Sequence, residues 1–111
     1  MNFRVDPAKV RDYLLTTSPL ATPEAHGKSR FFHAIGYAAE HWTVLRDDRL
    51  QHPVTANLLT TAPSRYGRKQ IFQCSMPVAP NGRVYCLRTV WTQRPDGELW
   101  LSTAFPRQPE R

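Results

Sequence analysis

Histidine, lysine and arginine crowd into one short stretch, His26-Gly27-Lys28-Ser29-Arg30. An imidazole titrates near neutral pH, which suits it to moving a proton. Lysine and arginine stabilise negative charge developing on a reacting phosphoryl group. The stretch runs straight into Phe31-Phe32 and reads as the entrance of a helix from about Gly27 to Ile35, whose unpaired backbone N–H groups also favour anions. His26 is thus the candidate acid/base group, Lys28 a catalytic cation and Arg30 a substrate contact. The plainer reading is a capped, solvated helix start with no task. A second cationic cluster, Arg65-Tyr66-Gly67-Arg68-Lys69, interleaves an aromatic ring with charge around a turn. Tyr66, Arg68 and Lys69 would line a path for an anionic polymer, or would simply form a charged hairpin loop.

These groups need elements to hold them. Asp6-Pro7 pairs a helix N-cap with proline at the first helical position, followed by Val10, Tyr13 and Leu14 on one face through about Leu15. Thr16 to Ala25 reads as a loop. A third helix begins near Ala38, carries Trp42, Leu45 and Arg49 at helical spacing, and ends before Pro53. The period then shortens from about 3.6 to 2. Strands are expected over 54–61, 69–76, 84–92 and 99–105, with turns at Ala79-Pro80-Asn81-Gly82 and Arg94-Pro95-Asp96-Gly97. The fold class is α+β: two or three N-terminal helices packed on a four-stranded antiparallel β-meander. Residues 1–106 form a single domain, and prolines 106 and 109 leave 107–111 as a frayed tail.

Three-residue turns set a strand register in which Cys74 lies opposite Arg88, and Arg88 opposite Thr103 to within one residue. One face then reads Phe72, Cys74, Met76, Val84, Cys86, Arg88, Val90, Leu99, Leu101, Thr103 and Phe105. A guanidinium on an otherwise apolar face must be paired or used, so Arg88 and Thr103 join the catalytic candidates. If paired, its carboxylate must come from the helices, where Asp12, Glu40, Asp47 and Asp48 are the candidates. The opposite face carries Gln73, Tyr85, Thr89, Trp91, Trp100 and Ser102. The sequence does not say which face the helices cover.

Composition narrows the class. The chain has 111 residues, ordinary globular hydrophobic content of 41%, and no apolar run long enough to span a bilayer. Its net charge is +6; residues 1–62 carry 7 basic and 6 acidic side chains, residues 63–111 carry 8 and 3. Attraction for a polyanion is therefore concentrated in the second half. Two cysteines, Cys74 and Cys86, read as free thiols of a cytoplasmic protein and as small core residues. There is no CxxC, HExxH, GxSxG, GxxxxGK[ST] or GxGxxG motif, so neither metal nor cofactor is expected.

The chain also resembles, over nearly its whole length, a family of small uncharacterised bacterial proteins. The matching residues are Lys9 with Tyr13-Leu14-Leu15, Gly27-Lys28-Ser29-Arg30-Phe31-Phe32, Gly36-Tyr37, and Trp42 with Leu45. Tyr66-Gly67, Arg88-Thr89-Val90-Trp91 and Thr103-Ala104-Phe105-Pro106 complete the pattern. In element order and ending it is similar, more loosely, to the barnase/EndoU/colicin/RelE-like ribonuclease domains of bacterial toxins. Phe105 departs from the tyrosine usual in that ending and lacks its hydroxyl. The resemblance implies a metal-independent endoribonuclease of a toxin–antitoxin or polymorphic-toxin system. RNA would be its substrate and a small acidic antitoxin or immunity protein its partner. A non-catalytic module binding RNA or protein through its basic sheet is the alternative.

Overall fold

The structure is a computed structural model that describes residues 2–73 and 79–106. Strand β1 (Phe3–Arg4) leads into helix α1 (Pro7–Lys9), which continues as a π-helical turn, Val10–Leu14. Helices α2 (Pro23–Ala34) and α3 (Trp42–Leu50) follow, with 3₁₀ turns at Ala39–His41 and Thr55–Asn57. Strands β2 (Leu58–Ser64), β3 (Gly67–Gln73), β4 (Leu87–Gln93) and β5 (Leu99–Pro106) complete the chain. The sheet order is β1-β5-β4-β3-β2. The α+β class and the antiparallel meander hold, with a fifth strand added: β1 runs parallel to β5 at the edge. Phe3 fixes it there, edge-on to Phe72 and Trp91 at 5.8 and 5.3 Å.

Asp6 caps α1 as expected, accepting from the Ala8 N–H at 3.0 Å. Helix α2 starts four residues before the expected Gly27. Thr22 accepts from the Ala25 N–H and Pro23 occupies the first turn, the same cap-and-proline chemistry as Asp6-Pro7. At its far end Gly36 adopts φ +112, and a Cβ there would lie 2.8 Å from Pro80. That close approach lets the Asn81 N–H bond Ile35 O at 3.1 Å. The Ala79–Gly82 turn is thereby drawn onto the end of α2, so β4 begins at Leu87 rather than at Val84. The expected strand over 54–61 likewise starts late, at Leu58. Before it, Asn57 donates to the carbonyl of buried His52 and the chain makes a 3₁₀ turn.

The expected registers each slip. Gln73, not Cys74, lies opposite Arg88, which puts Phe72 and Arg88 on opposite faces. Phe105 lies opposite Arg88 and Thr103 opposite Val90, two residues from the expected pairing. One residue of that difference arises at the turn, where Gln93 meets Leu99. The other is a bulge: Ser102 has no partner between Leu101 and Thr103.

The helices cover one sheet face. Phe72, Leu87, Trp91, Leu99, Leu101 and Ala104 pack with Val10, Leu14, Leu15, Phe32, Ile35 and Leu45. Two polar features sit inside this layer. Thr89 accepts from Trp91 Nε1 at 2.9 Å and lies 2.7 Å from His52 Nδ1, all three fully buried. His52, just past the end of α3, is buried where its ring meets the Thr89 hydroxyl. Arg49 is also fully buried, and none of its guanidinium nitrogens has a hydrogen-bond partner. Burial pulls its pKa down, against the pull of Tyr37 and Asp48. Cys86 is disulfide-bonded, which corrects the free-thiol expectation for that residue: its sulfur is committed to a covalent bond. Cys74 lies outside the described residues.

The two buried polar features predict different outcomes. Thr89→Val strands the Trp91 indole and a His52 nitrogen, and is expected to cost about 1–3 kcal/mol for each group left unpaired. Arg49→Met replaces a buried cation that makes no hydrogen bond with an apolar chain of similar volume, and is expected to leave stability unchanged or raise it. Thermal and urea unfolding of both variants measures the contrast.

Candidate functional site

Directly paired residues share a face, so the register assigns the side of the sheet that the helices leave open. Its rows run Arg4, Trp100, Thr92, Lys69; then Thr103, Val90, Ile71; then Phe105, Arg88, Gln73. All are half-buried except the exposed Arg4. Because of the bulge, Ser102 also turns outward and meets Thr92 at 2.6 Å. At one end Arg94 stacks over Trp100, 4.3 Å from the ring centroid, and Asp96 accepts from the Trp100 indole at 3.0 Å. The hydrogen bond from the Glu98 backbone N–H, then that from Trp100, holds the Asp96 carboxyl below its usual value despite a smaller opposing effect of burial. The face combines aromatic rings, hydroxyls and cations.

Arg88 is the informative residue. Its Nε donates to Gln73 Oε1 at 2.9 Å, and its Nη2 donates to the same oxygen. Gln73 is neutral, and no carboxylate among the described residues forms an ion pair with Arg88. Asp12, Glu40, Asp47 and Asp48 therefore do not serve it. Asp12 and Asp47 pair with the adjacent Arg11 and Arg46, and Asp48 accepts from the Tyr37 hydroxyl at 2.6 Å.

Next to Arg88 on β5 is Phe105, and beyond Trp100 no strand among the described residues pairs with that edge of β5. Lys28 reaches it there, its Nζ 5.6 Å from the Phe105 ring centroid. The same nitrogen donates to Tyr13 Oη at 2.7 Å and to Glu24 Oε1 at 2.6 Å. Lys9 also stands over the Tyr13 ring, at 4.8 Å. The Lys28 side chain is 11% exposed while that of Glu24 is 72% exposed. Burial alone would lower the Lys28 pKa, but hydrogen bonds to Glu24 and Tyr13 outweigh it and hold the ammonium above its usual range. The hydrogen bond and charge of Lys28 hold the Glu24 carboxyl below its usual value, and the Tyr13 hydroxyl adds to this.

Of the residues singled out from sequence, Lys28, Arg88 and Thr103 are brought together around Phe105, with Lys69 further along the same face. His26 is not with them. It lies two residues from Lys28 on α2, about 160° around the helix, and its backbone N–H already bonds Thr22 O at 2.9 Å. With α2 starting at Pro23, His26 to Arg30 sit within the helix, not at its entrance, and exposed Arg30 shares the His26 flank. Tyr66 occupies the β2–β3 turn at the far end of the sheet, and Arg68 follows it at the start of β3. There Tyr66 is 50% exposed under Arg65, and the Arg68 N–H bonds Gln93 Oε1 at 3.1 Å. Roughly 17 Å of strand separates that turn from Arg88. Tyr13 and Glu24 were not singled out for chemistry. The i,i+4 spacing of Glu24 and Lys28 was the available signal, hidden because residue 24 was placed in a loop. Among the described residues no three His, Cys, Asp or Glu side chains gather to hold a metal ion. No described helix is long and apolar enough to cross a membrane.

The family model for a domain of unknown function, DUF6883, matches residues 2–108. The chain belongs to that family. No curated protein matches it. The DUF6883 fold seen here is similar to that of a chain in a contact-dependent growth inhibition toxin–immunity protein complex from Klebsiella pneumoniae 342. The TM-score is 0.74 at 21% identity, covering 95% of this chain and 93% of that one. At that identity the likeness is one of fold. Within this DUF6883 chain, Tyr13, Lys28 and Phe105 come from three separated sequence segments and are linked through the Lys28 ammonium, and Arg88 lies across from Phe105 on β4.

The neutral partner of Arg88 makes a stability prediction. Arg88→Ala strands no carboxylate, so it is expected to shift stability by about 0.5 kcal/mol or less. A loss of about 3–5 kcal/mol on thermal unfolding would instead reveal a buried ion pair.

Proposed function

We propose that the protein is a toxin-type endoribonuclease that cleaves RNA without a metal ion, by attack of a ribose 2′-OH on the adjacent phosphodiester. The observation that carries this reading is Arg88: a half-buried cation on the helix-free sheet face, held by a neutral side chain and separated from Lys28 by one aromatic ring. Two cations on either side of a flat ring can hold a phosphodiester and stabilise its pentacovalent phosphorane. Thr103, diagonal to Arg88, has a buried hydroxyl and supports the face rather than touching the substrate. Lys69 and Trp100 extend the path for phosphates and an unstacked base, toward Tyr66.

The fold likeness is to a chain of a complex with two kinds of component, a toxin and its immunity protein. Charge favours the toxin reading. A net +6, with +5 beyond residue 62, suits a chain that seeks a polyanion. An inhibitor that covers such a face would be acidic. The partner proposed for this chain is accordingly a small acidic immunity protein or antitoxin that competes with RNA for the open face.

Incubation of the purified protein with total bacterial RNA in EDTA tests the reading. Fragments with 2′,3′-cyclic phosphate ends are expected, formed more slowly as salt rises because phosphate contacts release counterions. Arg88→Ala is expected to keep the parental melting temperature and lose cleavage. His26→Ala, on the other flank of α2, is expected to cleave at the parental rate. RNA that is bound and left intact in every condition would overturn the enzyme and identify a binding module.

A further inference from the structure

We infer that Glu24, Lys28 and Tyr13 form the proton-moving group of this site, with Glu24 as general base, Tyr13 as general acid and Lys28 fixed between them. The inference rests on the endoribonuclease reading and adds to it the residues that handle the protons. The geometry is specific. Lys28 Nζ lies 2.6 Å from the Glu24 carboxylate and 2.7 Å from the Tyr13 hydroxyl, and faces the Phe105 ring beside Arg88. An ammonium has three N–H donors. Two are used on Glu24 and Tyr13, and the third remains for a phosphoryl oxygen.

The reaction balances within this group. Glu24 takes the proton of the ribose 2′-OH as that oxygen bonds to phosphorus. The P–O5′ bond breaks, and the leaving 5′-oxygen receives the Tyr13 hydroxyl proton. The products are a 2′,3′-cyclic phosphate and a 5′-OH. Glu24 then holds one proton too many and Tyr13 one too few. Transfer from the carboxyl back to the phenol oxygen restores both. Lys28 stays charged throughout, stabilising first the phosphorane and then the tyrosinate. Lys9, over the Tyr13 ring at 4.8 Å, adds a second positive charge near the phenol.

Each residue suits its role by its exposure. Glu24 is open to an arriving 2′-OH, its side chain 72% exposed, while Lys28 is sheltered. With the Glu24 carboxyl held below its usual value by Lys28, the base is ionised throughout the neutral range. The groups facing Glu24 are Lys28 on its own helix and Tyr13 from the π-helical turn, with Lys9 behind the Tyr13 ring. The rate is expected to be flat near neutral pH and to fall as acid protonates Glu24.

The test compares Tyr13→Phe and Glu24→Gln with the parent on total RNA. Tyr13→Phe keeps the ring under Lys9 and Lys28 and removes one oxygen. Each variant is expected to cleave at least about 100-fold more slowly, with RNA affinity and melting temperature unchanged. Glu24→Gln is also expected to lose the fall in rate on the acid side. If the parent cleaves and both variants cleave within twofold of it, the group is structural and the inference falls while the endoribonuclease stands. If the parent cleaves no RNA, the endoribonuclease reading falls and takes this inference with it.

Discussion

A single unpaired residue in β5 decides what this sheet can present. Leu99 and Leu101 face the helices, and strict alternation would carry Thr103 and Phe105 inward with them. The bulge at Ser102 resets the alternation, so that Ala104 turns inward and Thr103 and Phe105 turn out. Ala104 is fully buried against the helix layer, where a phenylalanine in its place would have to displace its core neighbours. The same shift puts an aromatic ring beside Arg88 and within reach of Lys28. Core packing and the assembly of the open end are thus two results of one insertion.

Strand β4 shows how the two faces divide their polar groups. Thr89 and Trp91 point into the helix layer, and there each polar atom is matched: indole to hydroxyl, hydroxyl to imidazole. Arg88 and Val90 point outward, and there a full positive charge is met only by a neutral amide. A buried mismatch costs several kcal/mol, while a half-exposed one costs little because water still solvates it. Arg49 breaks this division, since its guanidinium is inside and unmatched. Its stacking against Phe32, 5.9 Å from the ring centroid, returns only part of the desolvation cost.

Local chemistry was legible in the sequence wherever one residue type forces one backbone geometry. Asp6-Pro7 capped a helix, and Gly82 and Gly97 took the left-handed φ of +84 and +81 that their turns require. Both turns closed with the expected bonds, Ala79 N–H to Arg83 O and Arg94 N–H to Glu98 O. Thr22-Pro23 carried the same signal as Asp6-Pro7 but lay in a segment with a second proline, Pro19, and small residues that read as a loop. Strand register was less legible, because it depends on one-residue choices at turns and bulges that composition does not fix. Two such shifts between β4 and β5 happen to cancel in parity, which is why Arg88 and Thr103 share a face although they are not opposite. Between β3 and β4 the shift is odd, so Phe72 and Arg88 part. The two-residue β1 is too short to have a period at all; its pairing with β5 and the packing of Phe3 on Trp91 and Phe72 define it.

The candidate site was least legible, and the reason is topological. Its side chains come from the π-helical turn, from α2, from β4 and from the end of β5, separated by up to ninety-odd positions in the chain. A linear search finds charge clusters, and the one it found here, His26 to Arg30, splits across two flanks of a helix once that helix exists. Of its cationic side chains, Lys28 is the one that reaches the Phe105 ring. The side chains that meet it, Tyr13 and Phe105, look like ordinary amphipathic core residues when read singly. What distinguishes them is position relative to the free edge of β5, where β1 has ended and a long lysine can pass from the helix layer to the open face. A cation that crosses between layers needs that gap, and the brevity of β1 supplies it.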